Sequence, residues 1–108
     1  MKNNLLGFLG ICKKAGKLKH GFDAVKEAVQ KGGVPLVLVT KDISPKTKKE
    51  ILFESAKTNT EVVSVPATMV EIEQKTGKRA GVLAVLDEGF AKAVKESAAL
   101  ADEEEDSI

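Results

Sequence analysis

The sequence predicts a small α/β/α sandwich built on a largely parallel or mixed four-stranded sheet. Three observations carry that expectation. Leu36-Val37-Leu38-Val39-Thr40 and Gly81-Val82-Leu83-Ala84-Val85-Leu86 are short apolar runs of the kind that fill a sheet covered on both faces, and Glu61-Val62-Val63-Ser64-Val65 gives a further strand. Segments with helical spacing alternate with them. At 108 residues the chain suits one domain, large enough to bury about two thirds of its unfolded surface.

Leu5, Leu6, Leu9 and Cys12 share one helical face behind the candidate caps Asn3 and Asn4, and Gly16 should end that helix. Leu18-Lys19-His20 is expected to add a short edge strand. Phe22, Val25, Ala28 and Val29 stripe a second helix that stops at Gly32-Gly33, before the Leu36 run, which reads as a buried parallel strand. Ser44-Pro45 supplies a cap and a proline at the first helical position of a lysine-rich third helix, with Ile51, Leu52 and Ala56 expected inward. Thr68 and Glu71 have capping-box spacing for a short helix ending near Gly77. Asp87 can cap the last helix, which carries Phe90, Ala91 and Val94. Right-handed crossovers would join the strands. Residues 1–100 are thus read as the domain and residues 101–108, with five consecutive acids, as a disordered tail. Solubility is its simplest role; competition with nucleic acid for a basic face is a sharper one.

That tail hides a charge asymmetry. The formal net charge is +1, yet residues 1–101 hold 17 basic and 11 acidic side chains. The first 22 residues contain five lysines, the single histidine and no acid, and a glycine-bearing turn then feeds a helix N-terminus whose free amides favour anions. Such an opening suits RNA or phosphate, although lysine-rich surfaces also serve solubility alone. One cysteine excludes an intramolecular disulfide and any multi-cysteine zinc site, which points to a reducing compartment. No run is long enough to span a membrane, and the N-terminus lacks the pattern of a secretory signal, so a cytoplasmic location is expected.

Gly10-Ile11-Cys12-Lys13-Lys14-Ala15-Gly16-Lys17-Leu18 resembles a nucleotide phosphate loop but fails its geometry. The glycines stand one residue too far apart, Leu18 replaces the required hydroxyl, and no strand precedes Gly10. Cys12 and His20 could form a nucleophile and base, but Cys12 lies on the apolar stripe of its helix. The carboxylate pairs Glu71/Glu73 and Asp87/Glu88 read as helix caps or solvated faces. No enzymatic constellation, metal site, cofactor or small-molecule substrate is indicated.

The segment from Gly21 to Asp42, with Lys14-Ala15-Gly16-Lys17-Leu18 and Asp87-Glu88-Gly89-Phe90-Ala91, resembles the ribosomal protein L7Ae/L30e family across roughly residues 3–97. Its small bacterial ribosome-associated paralogues look most alike. The resemblance implies an α/β/α fold and non-catalytic binding of structured RNA, typically a kink-turn, and hence a ribosome or assembly intermediate as partner. In the family's kink-turn binders the loop into the second helix has a glycine, a small residue, Asn or Lys, Glu or Gln, two variable positions and Lys. Gly21 matches the glycine, while Phe22, Asp23, Ala24 and Glu27 depart from the rest of that pattern. A one-residue shift would fit Asp23 and Lys26 to the acid–lysine pair but would lose Gly21 and need an insertion before Asp42. The family's second RNA-facing loop corresponds to Lys78-Arg79-Ala80-Gly81.

The resulting expectation is an interface made of Lys14, Lys17, Lys19, His20, Gly21, Phe22, Asp23, Lys26, Lys41, Lys78, Arg79, Ala80 and Gly81. Lysines and Arg79 would hold phosphate, and the amides around Phe22 and Asp23 would donate to the RNA. Ala80 and Gly81 would permit close approach, and His20 could strengthen binding as pH falls. The rival reading is a protein-interaction module on the same fold that has lost kink-turn specificity.

Overall fold

A computed structural model describes the backbone of residues 4–106 and the side chains of residues 4–99. Helix α1 spans Leu5–Lys14 and buries Leu5, Leu9 and Cys12, the i, i+4, i+7 stripe visible in the sequence. Asn4 occupies its N-cap position without making a side-chain cap bond, and Asn3 lies outside the described residues. Gly16 reverses the chain at φ +72°, allowing the Lys17 amide to donate to Cys12 O at 2.9 Å. Strand β1 (Leu18–His20) leads through Gly21 into α2 (Phe22–Lys31).

Strand β2 (Leu36–Thr40) is buried at every position. Helix α3 (Pro45–Lys57) starts as expected, with Ser44 Oγ accepting from the Thr47 amide and Pro45 at the first turn. Strand β3 (Val62–Val65) precedes α4 (Met69–Thr76), whose Thr68–Glu71 capping box is complete. Strand β4 (Val82–Val85) runs to Asp87, whose Oδ2 accepts from the Phe90 amide at the start of α5 (Glu88–Asp106).

The sheet order is β1-β4-β2-β3. Only β2 and β3 are parallel; β4 is antiparallel to both β1 and β2. The sheet is therefore mixed, and the parallel reading of the Leu36 run holds towards β3 but not towards β4. Continuous apolar character reports burial on both faces, which helices on either side impose whatever the strand direction. Side chains alternate accordingly. Leu36, Leu38, Leu83 and Val85 pack with Leu9, Ile72 and Val94 beneath α1, α4 and α5. Val37, Val39, Val82 and Ala84 pack with Val25, Val29 and Ile51 beneath α2 and α3. Truncating Leu38 or Leu83 to Ala would cost about 2–5 kcal/mol of stability.

Two expectations fail. On α3, Ile51 is buried, but Leu52 is 44% exposed and Ala56 lies outside. Ser55, one turn beyond Ile51, takes the inward place, because a narrow i, i+4 stripe with a small side chain suffices to seat α3. The break expected at residue 100 is also absent: α5 is helical through Asp106, carrying Ala98-Ala99-Leu100-Ala101 straight into the acids. Alanine, leucine and glutamate are strong helix formers, so propensity favours continuing the helix. Residues 107–108 lie outside the described residues.

Candidate nucleic-acid interface

One end of the sheet gathers four chain segments. At the end of β1, His20 pairs with Leu83, and the Gly21 amide donates to Val82 O at 2.8 Å. At the end of β2, the Thr40 amide donates to Gly81 O and the Lys41 amide to Ala67 O, each at 3.0 Å. These backbone bonds bring the β1–α2 turn, Lys41-Asp42, the start of α4 and the Lys78–Gly81 loop together. They join segments far apart in the chain, and sheet topology rather than local sequence sets them.

Gly21 is the N-cap of α2, at φ +94° and ψ 151°, a region closed to L side chains. It brings no side-chain acceptor, and the first intrahelical bond runs from the Val25 amide to Gly21 O. The amides of Phe22, Asp23 and Ala24 therefore form an open helix terminus. Asp23 and Ala24 are exposed there, whereas Phe22 is half-buried against the α2–α3 core.

His20 is half-buried, with Nε2 3.0 Å from Thr76 Oγ1. The Thr76 hydroxyl also lies 2.8 Å from Ile72 O and 3.3 Å from Lys78 O, carbonyls to which it can donate while accepting from His20 Nε2. The Lys78 amide also points to Thr76 Oγ1, at 3.4 Å, which ties β1, the end of α4 and the Lys78 loop to one oxygen. Burial, then the charges of Lys13 and Lys78, push the His20 pKa below its ordinary value.

Lys78 and Arg79 are exposed, and Arg79 is 3.9 Å from Glu73 in a loose surface pair. Lys41 and Lys19 are exposed in the neighbouring segments. Asp42, although exposed, is tied into the fold: its carboxylate accepts from the Met69 amide at 3.1 Å. Desolvation works to raise its pKa, but the Thr40 hydroxyl, the Met69 amide, its own amide and the Arg79 charge together hold it low.

The structure redistributes other expected residues. Ala80 is only 7% exposed and belongs to the core beneath α1, α4 and α5. A Cβ at Gly81 would stand 3.3 Å from Met69 Sδ and 3.5 Å from Thr40 Oγ1, so the close approach permitted there is by this protein's own side chains. Lys26 turns towards α3, 4.0 Å from Glu54 and 5.9 Å above the Phe22 ring centre. Lys17 lies at the opposite end of β1, its carbonyl accepting from the Leu86 amide, and Lys14 ends α1 just before it. The anticipated basic face is thus split across the length of a strand. Lys13, half-buried and close enough to shift His20, and Asp42 were not singled out from sequence. Lys13 stands in the Lys13-Lys14 pair, but only the fold brings it near His20.

Cys12 is fully buried, donates to Lys17 O at 3.1 Å, and has its pKa raised to about 11 by burial and by Asp87. With His20 engaged by Thr76, no activated thiol results.

Residues 4–95 match the ribosomal protein L7Ae/L30e/S12e/Gadd45 family. The chain belongs to this family. Among curated relatives it is 29% identical over 99 residues to RNA-binding protein YlxQ of Enterococcus faecium, covering 88% of this chain and 91% of that one. It is also 29% identical over 83 residues to large ribosomal subunit protein eL30 of Neurospora crassa, covering 75% and 76% of the two chains. A solved protein of unknown function from Bacillus halodurans superposes with a TM-score of 0.82 at 28% identity, over 91% of this chain and 99% of that one. The 15.5kD RNA-binding protein of Giardia lamblia shares the fold, with a TM-score of 0.72 at 14% identity over 92% and 85%. In this L7Ae/L30e member, the sheet end assembled by Gly21 and Gly81 is where the basic loops meet.

Proposed function

We propose that the protein is a non-catalytic binder of structured RNA, ribosomal or ribosome-associated, acting in the cytoplasm. The carrying observation is the glycine-capped N-terminus of α2 flanked by Lys19, Lys41, Lys78 and Arg79 at one end of the sheet. Relatives named as an RNA-binding protein and a ribosomal subunit protein support the same reading. The lysines and Arg79 neutralise phosphates, while α2 amides and the exposed Asp23 carboxylate address base edges. Asp23 offers an acceptor to the amino and imino hydrogens of a guanine exposed in a kink-turn's sheared G·A pairs. Lys14 and Lys17, at the far end of β1, reach only an RNA long enough to run along that strand.

A second reading has a specific basis in Phe22, Asp23, Ala24 and Glu27, which depart from the family's contact loop. If those departures have ended base reading, the fold serves as a protein-interaction module. A titration of the protein against a kink-turn RNA and a matched duplex with its G·A pairs replaced, at low and near-physiological salt, decides between them. Base contacts are worth about 1–3 kcal/mol each, so one or two give about tenfold or greater preference for the kink-turn that survives salt. Equal binding that collapses with salt would leave electrostatic attachment alone. No binding at either salt would favour the protein partner.

A further inference from the structure

The face of the molecule formed by α2 and α3 carries an aromatic pair that neither core uses fully. Phe53 is 64% exposed on α3, and Phe22, the first residue of α2, is half-buried opposite it. Between them runs an open groove of about 390 Å³ lined by Phe22, Lys26, Lys49, Glu50, Phe53 and Glu54. An ammonium stands over one face of each ring: Lys57 Nζ is 4.6 Å from the Phe53 centre and Lys26 Nζ 5.9 Å from that of Phe22. Glu54 is already held by Lys57 at 3.4 Å and Lys26 at 4.0 Å. The groove's own lining balances Lys26 and Lys49 against Glu50 and Glu54, while α3 as a whole has four lysines against two glutamates.

We infer that this groove takes a single-stranded nucleotide segment flanking the RNA docked at Gly21, with a base stacked on Phe53. The inference rests on the RNA reading and extends it. Continuity carries it: Phe22 follows Gly21 directly, so a strand leaving the α2 terminus meets the groove at once. The rings carry it too, because Phe53 offers an exposed aromatic face with an ammonium close by, the pairing that suits a stacked base and the phosphate beside it. An acidic protein segment would answer the charge but leave the rings without planar partners.

The test compares a blunt kink-turn RNA with the same RNA bearing a short single-stranded uridine tail, against wild type, Phe53→Ala and Phe53→Tyr. Phe53 is outside both cores, so each variant should fold, with circular dichroism as the check. The tail should tighten wild-type binding about tenfold, within the range for one stacked base. Phe53→Ala should abolish that gain, Phe53→Tyr keep it, and blunt-RNA affinity stay equal in all three. Blunt binding without a tail gain, or a gain that survives Phe53→Ala, overturns the groove assignment while leaving the RNA reading intact. Failure of both RNAs to bind overturns both. A wild-type dimer that Phe53→Ala dissociates, with no tail gain, overturns it in favour of a second copy.

Discussion

Helices α2 and α4 begin at the same end of the sheet, with the same dipole sense towards solvent, yet their first turns are furnished in opposite ways. At α4, Thr68 Oγ1 accepts from the Glu71 amide, Glu71 Oε1 accepts from the Thr68 amide, and Asp42 takes the Met69 amide. The Thr68, Met69 and Glu71 amides thus have side-chain acceptors, two of them carboxylates. At α2, Gly21 offers no side chain, and the exposed Asp23 makes no cap bond while lysines stand near. The positive terminus of one helix is thus capped by side chains, while that of the other carries no side-chain cap.

The strongest way to break this contrast is to reverse the charges around α2. The double variant Lys19→Glu and Arg79→Glu should lose about a hundredfold in RNA affinity at low salt while keeping its melting temperature. Unchanged affinity in the folded variant would move the interface elsewhere. Next, Gly21→Ala forces an L side chain to φ +94° and should cost about 1–3 kcal/mol, although nothing crowds the new Cβ. Thermal unfolding reads this as a fall of about 4–8 °C per kcal/mol. A melting temperature equal to wild type would show that the turn does not require that conformation.

Removing the cap of α4 is milder. Thr68→Ala should cost about 1 kcal/mol in denaturant unfolding and leave RNA affinity alone. A parallel loss of RNA affinity would mean that α4's terminus serves the partner as well. The smallest effect belongs to His20. Its folded pKa lies below the unfolded value of about 6.5, so the unfolded chain takes up the proton first. Stability should therefore decline as pH falls below about 6.5, until the folded pKa is passed, and His20→Gln should flatten that part of the profile. Binding should have the opposite sign, since an RNA phosphate beside the imidazole would favour its protonated form. A pH-independent affinity would place the RNA away from His20.

Local chemistry was legible in the sequence and long-range geometry was not. The capping box at Thr68-Glu71, the Ser44-Pro45 start and the Asp87 cap depend on neighbours three residues apart, and each formed as written. The two-faced burial of β2 and β4 followed from unbroken apolar runs. By contrast, Lys14 and Lys17 read as continuous with Lys19 because sequence distance is short, while β1 carries them to the other end of the sheet. Asp42 became visible only through Met69, 27 residues on, and Ala80 turned inward because its neighbour strand and helix enclose it. Leu52 and Ala56 failed for another reason: an amphipathic pattern fixes a helix's apolar arc but not which part of that arc the sheet will cover.

Cys12 gives the molecule an internal clock. Sealed between α1 and the sheet and held protonated, its sulfur can meet an alkylating reagent only when the first helix lifts away. Alkylation kinetics at that one native atom would time the opening of the α1 layer without any introduced residue, and would show whether a partner bound at the far end of β1 slows that opening.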